Sequence, residues 1–213
     1  MNPAAQNALR TAATLIAFTT LGTGLLAYTF AITKDNIARN EAQAKRELIE
    51  QVLPKQLYDN DVVHDVVHLA PTPQLGTSHS SNAYRARLAG QPAVLVLEAI
   101  APDGYSGKIE LLIAIQSNGE LAGVRVIAHK ETPGLGDYID IAKSAWIKQF
   151  DHASLGLNDA AWNVKKDGGR FDYMSGATIT PRAVVKAVHS ALRYYEQHGS
   201  AIFAQPAIPQ EQP

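Results

Sequence analysis

Apolar residues are concentrated in one run near the N-terminus. From Thr11 to Thr33 the chain has no charged residue, and Arg10 and Lys34 flank this stretch. A helix over 12–32, at roughly 1.5 Å per residue, is about 32 Å long, which matches a hydrocarbon core of about 30 Å. Threonines are tolerated within it, because a helical Thr can donate its hydroxyl to a backbone carbonyl of its own helix. The pattern therefore predicts an uncleaved transmembrane anchor.

Two other structures would explain the same apolar run. One is a buried helix of a soluble protein, and the other is a cleaved signal peptide. A signal peptide normally has a shorter apolar region, and Ala27–Ala31 has the wrong spacing for an A-x-A cleavage site.

The charges that flank the span barely favour either orientation of the chain in the membrane. A short N-terminal tail usually stays inside, which would place residues 34–213 outside the cytoplasm.

The rest of the chain predicts one α+β domain. Residues 34–53 combine good helix formers with periodic apolar positions until Pro54, so a helix is expected to lead away from the membrane. Val62–Leu69 has the composition of a strand, whereas residues 71–82 are rich in Pro, Ser, Thr and Gly and predict a loop.

Three strand candidates follow in close order, at Ala93–Ile100, Ile109–Gln116 and Leu121–Ala128. Turn residues separate them, and an Asn-Gly pair between two alternating apolar runs is a strong hairpin signal. These features predict an antiparallel β-meander packed against helices.

Two further helices complete the predicted domain. Asp137–Phe150 has the apolar spacing of an amphipathic helix. The last helix is expected to begin with Thr180 as its N-cap and Pro181 at its first position, and to end at Gly199. The predicted organisation is a tail and anchor over 1–33, a membrane-proximal helix over 34–57, one folded domain over 58–203 and a disordered tail over 204–213.

The composition narrows the chemistry that this chain can perform. The 213 residues include no cysteine, which excludes a disulfide, a thiolate metal site, a cysteine-ligated iron–sulfur cluster and a cysteine nucleophile. The formal net charge of −1 lacks the basic surplus that is typical of nucleic-acid binders. Any redox group must therefore be held without a thiol.

Two glycine-containing loops carry the candidate chemistry. Residues 129–136 read HKETPGLG after the third meander strand, and their glycines allow a ligand to approach the backbone closely. Residues 168–181 read GGRFDYMSGATITP at the start of the last helix, where unpaired amides and the helix dipole favour a phosphate. An ordinary strand-to-helix turn and an ordinary capping turn would explain the same residues, so the pattern alone leaves both interpretations open.

The two loops resemble the signatures of a known family. Residues 172–178 read DYMSGAT and match the D-x-x-(S/T)-G-A-T signature of FMN-binding domains that carry covalent flavin. The ETPGLG core at 131–136 resembles the second signature of the same family. The single span, the chain length and the order of the motifs resemble the G subunit of the Rnf electron-transport complex. The C subunit of the sodium-translocating NADH:quinone reductase is the nearest competitor, although its domain is usually longer.

This resemblance implies a cofactor and a set of residues that bind it. In the family, a flavin transferase esterifies the last threonine of the signature to the phosphate of FMN, which makes Thr178 the attachment point. The remaining recognition signature is then Asp172, Ser175, Gly176 and Ala177. The other loop is expected to reach the isoalloxazine or ribityl part of FMN through Glu131, Thr132, Gly134, Leu135 and Gly136.

The resemblance also implies a function. The flavin would supply the redox chemistry, so no catalytic side chain and no metal are expected, and the polypeptide would attach and orient FMN. The expected partners are the other subunits of an ion-translocating membrane complex that works between ferredoxin and NAD, the flavin transferase and membrane lipid, and no nucleic acid is expected. The domain would face the extracytoplasmic side of a bacterial inner membrane. A membrane-anchored binding or sensory module is the alternative from another class.

Several other residues attract attention but have simple structural explanations. His64 and His68 would form a metal pair on a helix, but the valines around them favour a strand, where the two would be far apart. Trp146 and Trp162 are expected to pack in the core rather than to stack on the flavin. Lys165 and Lys166 are either solvated lysines or counter-charges for the flavin phosphate.

Overall fold

A computed structural model describes residues 2–206, without the side chains of residues 5, 38, 41, 42 and 45. It contains two α-helices, α1 (Pro3–Val52) and α2 (Ile179–Ala204). Its five strands are β1 (Val66–Leu69), β2 (Ser81–Leu88), β3 (Gln91–Gly104), β4 (Gly107–Gln116) and β5 (Leu121–Ala128). The chain divides into two compact units, residues 1–45 and residues 46–213. The predicted α+β class is confirmed.

The first unit is helical from Pro3 onward. Gln6–Ile37 is long and apolar enough to cross a membrane, and its apolar side chains are exposed, as at Leu21 and Leu26. The hydroxyls of Thr14 and Thr29 donate to carbonyls four residues earlier, at 2.9 and 2.7 Å. These bonds satisfy the polar groups within the helix and suit it to a bilayer.

The second unit is built on an antiparallel meander with the strand order β1-β2-β3-β4-β5. The predicted meander is confirmed, and β4 and β5 lie close to their predicted bounds. Gly119 has φ +85 in the turn between them, as expected for an Asn-Gly hairpin. The sequence prediction missed β2, whose first two residues fall within the predicted loop, and β1 begins four residues later than expected.

The two faces of the sheet are covered by different elements. On one face, α2 and the segment between β5 and α2 enclose the larger core, with Leu97, Ile113 and Val184 fully buried. On the other face, the last turn of α1 packs through Ile49 and Val52, followed directly by Leu53. An added Cβ at Gly123 of β5 would lie only 3.5 Å from the Val52 backbone, which shows how closely this turn approaches the sheet.

Two arginines of β2 hold the C-terminal end of α2. Arg85 is only 1% exposed, and its guanidinium donates to the carbonyls of Ile202, Phe203 and Gln205 while it pairs with Asp65. Arg87 also pairs with Asp65, at 2.8 Å, and donates to the Phe203 carbonyl at 3.0 Å. These bonds satisfy the last carbonyls of the helix, which have no partner within it.

One predicted helix and the predicted end of another are wrong. Asp137–Phe150 is not an α-helix but contains two short 3₁₀ segments, because Ser144 accepts from the Trp146 amide and donates to the Tyr138 carbonyl. Helix α2 does not end at Gly199, which is buried within it; the helix continues to Ala204. Of the predicted disordered tail, residues 207–213 lie outside the described part of the chain.

Candidate functional site

Three segments meet at the N-terminus of α2. They are the β3–β4 turn (103–106), the glycine loop (129–136) and the signature loop (171–178), which runs directly into the helix. The glycine loop follows β5, and the β3–β4 turn lies at the same edge of the sheet. Both family-like motifs are therefore brought together, although 35 residues separate the end of one from the start of the other in the sequence.

Glu131 joins the glycine loop to the β3–β4 turn and to the first turn of α2 from a buried position. It is 4% exposed, its Oε2 accepts the Thr180 hydroxyl at 2.6 Å, and its Oε1 accepts the Ser106 amide at 3.0 Å. The expectation that Thr180 caps the helix is therefore wrong, because its side chain is bonded to Glu131 and the N-cap position belongs to Thr178. Glu131 uses both carboxylate oxygens within the protein and holds the start of α2.

The glycine loop needs its two glycines for different reasons. A Cβ at Gly136 would lie 2.5 Å from Oε2 of Glu131 and 3.0 Å from the Thr180 hydroxyl, so the absence of a side chain allows their hydrogen bond. Gly134 has φ +76, which favours glycine, and its amide donates to Asp137 at 2.8 Å. The close approach at Gly136 is thus made by protein side chains.

Two residues of the glycine loop, Thr132 and Leu135, have exposed side chains. The carbonyl of Thr132 accepts the amides of Leu135 and Gly136, each at 3.1 Å, and this closes the loop into a turn. Leu135 is 48% exposed. These side chains are free to contact a ligand.

The signature loop contains a tight turn over Met174–Ala177. The Ala177 amide donates to the Met174 carbonyl at 3.0 Å, and Gly176 has φ +87 at the third position. A positive φ at that position alone is typical of a type II turn and favours glycine. A Cβ at Gly176 would meet nothing within 4 Å, so the backbone conformation, and not crowding, calls for this glycine. Ser175 and Gly176 are both exposed.

Thr178 lies between this turn and the first turn of α2. It is half-buried, occupies the N-cap position and makes no side-chain capping bond, so its hydroxyl is available for other chemistry. Ala177 is also half-buried and packs against the larger core between the sheet and α2. The first amides of a helix have no partner within it, and the dipole adds partial positive charge at this end. A phosphate esterified to Thr178 would therefore lie in a favourable field.

Asp172, the second residue of the signature loop, is held by three residues from outside it. Its amide donates to the Gln149 side chain at 2.8 Å, its carbonyl accepts from Trp146 Nε1 at 2.7 Å, and its carboxylate pairs with Lys165. The sequence pattern offers Lys165 as a counter-charge for the flavin and Trp146 as a core residue. Nothing in the sequence around Gln149 signals this contact.

The start of α2 carries basic side chains that are already paired. Arg182 forms two 2.6 Å bonds with Asp167, and its guanidinium lowers the pKa of that carboxyl below its usual range. Lys186 pairs with Asp103 of the β3–β4 turn at 2.9 Å. Both pairs are exposed, so they add little to stability but keep positive charge close to the helix N-terminus.

Exposed apolar side chains surround the same point. They lie on the three segments and on the first residue of α2: Tyr105 (69% exposed), Leu135 (48%), Met174 (39%) and Ile179 (48%). Such a group of exposed apolar side chains close in sequence to the free hydroxyl of Thr178 fits a ligand with an aromatic body and a charged end.

Comparison with known proteins identifies the family. The FMN-binding domain family matches residues 104–193, and the RnfG N-terminal region matches residues 1–52. The G subunit of the ion-translocating oxidoreductase complex from Pseudomonas aeruginosa is 48% identical over 92% of both chains. The proteins of that name from Shewanella baltica and Vibrio cholerae are 45% and 44% identical, over 90% of this chain and 91% and 92% of theirs. The chain belongs to the RnfG family.

The FMN-binding match includes every element of the site. It begins at Gly104 in the β3–β4 turn, contains both loops, and extends past the N-terminal half of α2. The residues present fit FMN: a free hydroxyl at a helix N-terminus for the phosphate, and exposed apolar side chains for the ring system. The RnfG match covers α1 as far as its last turn on the sheet.

The remaining candidate residues from the sequence have partners within the domain. His68 lies on β1 and pairs with Asn82 at 2.7 Å, while His64 lies in the preceding turn and pairs with Asp61 at 2.6 Å. Within residues 2–206, no group of three or more His, Asp or Glu side chains is arranged to hold a metal ion. Trp146 and Trp162 are both buried, as predicted for packing residues.

Proposed function

We propose that this chain is the flavin-carrying G subunit of an ion-translocating oxidoreductase complex, and that it relays electrons through an FMN joined to Thr178 by a phosphoester. The observation that carries the proposal is the position of Thr178, with a free hydroxyl at the helix N-terminus where the signature loop ends. The 48% identity to the G subunit from Pseudomonas aeruginosa supports the assignment to such a complex.

The attachment requires an activated flavin. An ester does not form from a free phosphate and a hydroxyl in water without a driving force, so the donor must hold the FMN phosphate in a pyrophosphate, as FAD does. The Thr178 Oγ would form a bond to the phosphorus of the FMN half, the pyrophosphate bond would break, and AMP would leave with the bridging oxygen. The hydroxyl proton would pass to solvent, and no redox change would occur.

The residues of the chain then serve to hold and shield the cofactor. Bound FMN supplies the redox chemistry, since it can accept and pass on electrons. The first amides of α2 would stabilise the remaining negative charge of the phosphodiester. Leu135, Met174 and Ile179 would cover part of the ring system, with Thr132 beside them. In this proposal Glu131 and Gly136 act by holding the start of α2.

The proposal includes a topology. Gln6–Ile37 would cross the inner membrane with the N-terminus in the cytoplasm, and the flavin domain would lie on the extracytoplasmic side. A covalent bond suits that compartment, because a dissociated flavin would be lost there. A thiol-free attachment also agrees with a chain that contains no cysteine.

In-gel fluorescence tests the attachment directly. The full chain, co-expressed with a flavin transferase, should give a fluorescent band in a denaturing gel, and Thr178→Ala should give none. Thr178→Ser keeps a hydroxyl and should retain a weaker band. A dark wild-type band would favour a module that binds FMN non-covalently or not at all. Fluorescence that survives in Thr178→Ala would move the attachment to Ser175 or Thr180.

The partners are tested by purification. The other subunits of the complex should co-purify with a tagged full chain from detergent-solubilised membranes. The match of residues 1–52 to the RnfG N-terminal region favours this complex over the sodium-translocating quinone reductase. Recovery of quinone-reductase subunits instead would contradict the proposal, while leaving the attachment chemistry intact.

A further inference from the structure

The turn that precedes Thr178 is bridged by a single phenol. The Tyr138 hydroxyl accepts the Met174 amide at 3.2 Å and is within 3.5 Å of the Ala177 carbonyl, to which it can donate. This amide and this carbonyl belong to the first and last residues of the tight turn over Met174–Ala177. One oxygen atom therefore contacts both ends of the turn that leads into Thr178.

Tyr138 is a fixed side chain. It is 7% exposed, and its ring packs edge-on against Trp146 with centroids 5.6 Å apart. Burial raises the pKa of the Tyr138 phenol, so the hydroxyl keeps its proton and can act as donor and acceptor at once. A rigid group of this kind loses little conformational entropy when it holds a loop.

Trp146 extends the same support to the beginning of the signature loop. Its Nε1 donates to the Asp172 carbonyl at 2.7 Å, and its other side packs against Phe150 at 5.6 Å. Phe150 in turn stacks on Phe171, the first residue of the loop, at 4.6 Å. The Tyr138–Trp146 pair thus contacts the loop at Asp172, Met174 and Ala177.

The loop needs such support, because its own side chains supply little of it. Four consecutive residues of the loop are exposed, Tyr173, Met174, Ser175 and Gly176. Because a glycine has many allowed conformations, the backbone at Gly176 can also move away from its positive φ. Without the pair, this segment would sample several conformations, and only some of them would present the Thr178 hydroxyl correctly.

We propose that Tyr138 and Trp146 are positioning residues for flavin attachment: they hold the signature loop in the conformation in which a flavin transferase accepts Thr178. The proposal rests on the proposed function, in which the transferase joins the FMN half of FAD to Thr178 and releases AMP. Neither residue touches the reacting atoms; each acts through the backbone of the loop.

The kinetic consequence is specific. If the competent loop conformation is populated only part of the time, the apparent KM of the transferase for the protein rises by the inverse of that fraction, while kcat at saturation is unchanged. A purely structural defect, in which part of the protein cannot be modified at all, would instead lower the final yield of modified protein.

The test uses the full chain, purified without flavin and incubated with the transferase and FAD over a range of protein concentrations. Tyr138→Phe removes one oxygen and keeps the ring on Trp146. We expect its KM to rise about 3- to 10-fold, the range that corresponds to one hydrogen bond, with kcat and the final yield unchanged. Tyr194→Phe removes the hydroxyl of another buried tyrosine, on α2 beside His198, and should match the wild type.

Hydrogen exchange gives a second readout that does not depend on the transferase. The Met174 amide should exchange at least severalfold faster in Tyr138→Phe, while amides of β3 and β4 keep their protection. Trp146→Phe provides a second variant that removes the Nε1 donor but keeps an aromatic ring. An unchanged KM in both variants would overturn the proposal, as would an unchanged exchange rate at Met174 in Tyr138→Phe. A wild-type chain that takes up no covalent flavin would instead overturn the proposed function.

Discussion

The glycine loop and the signature loop differ in where their motif residues point. In the glycine loop, Glu131 is buried, and Gly136 leaves room for its bond to Thr180. In the signature loop, Ser175 and Gly176 are exposed, and Asp172 is held chiefly by its backbone. The first loop fixes the start of α2, whereas the second presents groups to the outside.

This difference shows that a motif of a binding family need not consist of ligand contacts. Glu131 is a strong acceptor, and a sequence pattern alone suggests that it faces the cofactor. In the structure its two oxygens are bonded to Thr180 and Ser106. A buried carboxylate that joins three chain segments can shape a site by holding those segments in place. The two loops can be separated by measuring stability and flavin attachment in the same variants.

The largest effect on stability is expected for Glu131→Ala. It leaves the buried Thr180 hydroxyl and the Ser106 amide without their acceptor, and each such group costs about 1–3 kcal/mol. We expect the free energy of unfolding to fall by about 3 kcal/mol. Urea unfolding of the full chain in detergent measures it, since both tryptophans lie in the second unit and report on it alone.

Thr132→Ala is the matched control for this prediction. Its side chain is exposed on the same loop, so the stability should change by less than about 0.5 kcal/mol. An equally small change in Glu131→Ala would contradict the supporting role of the glycine loop.

An intermediate effect is expected from alanine at one glycine in each loop. The Cβ of Gly136→Ala would lie 2.5 Å from Glu131, and such overpacking costs about 1–3 kcal/mol of stability. Gly176→Ala meets no neighbour but must adopt a positive φ, at a cost of about 1–2 kcal/mol that the exposed turn can relieve by changing conformation. Gly136→Ala should therefore unfold at lower urea, whereas Gly176→Ala should mainly slow flavin attachment. The opposite ranking in the two assays would remove the distinction between the loops.

The smallest effect concerns the support behind the signature loop. His189 of α2 stacks on Trp162 with parallel rings 4.9 Å apart, and Trp162 packs on Phe171. Burial lowers the pKa of His189 and the nearby Arg193 lowers it further, while Asp159, 3.5 Å from its Nε2, opposes part of this shift. The unfolded chain then binds a proton more readily than the folded one, so stability is complete above the ordinary histidine pKa of about 6.5 and falls as the pH drops below it.

Urea unfolding at pH 7.5 and pH 5.5 checks this dependence. His189→Phe keeps a flat ring on Trp162 and cannot be protonated, so its loss of stability between the two pH values should be smaller than in the wild type. Equal losses in both proteins would show that other groups cause the pH dependence and that the aromatic support is insensitive to protonation.

The sequence predicted the parts of the fold that depend on local patterns. The Asn-Gly turn and the alternating apolar runs gave β4 and β5 close to their observed bounds, because their signals lie within a few residues. The pairing of β2 with β1 and β3 has no comparable local signal in the sequence. Its Arg85 looks like a surface residue, yet it is buried because Asp65 and the end of α2, both distant in sequence, neutralise and bind it.

The site was predictable only to the level of its motifs. The expected attachment point and the two loops could be read from the sequence, since their residues are contiguous. Tyr138, Gln149 and Trp146 contact the signature loop from a segment predicted as a helix, and only the folded chain brings them there. Their roles depend on three-dimensional contacts that no local pattern encodes.

The pairing of Arg85 with the end of α2 determines where the chain can be shortened. Because a buried guanidinium binds the carbonyls of Ile202, Phe203 and Gln205, a chain cut before Ile202 would leave that charge with Asp65 alone. An affinity tag added after residue 206 should leave these bonds intact. Removal of the residues from Ile202 onward should instead destabilise β2 and α2 together.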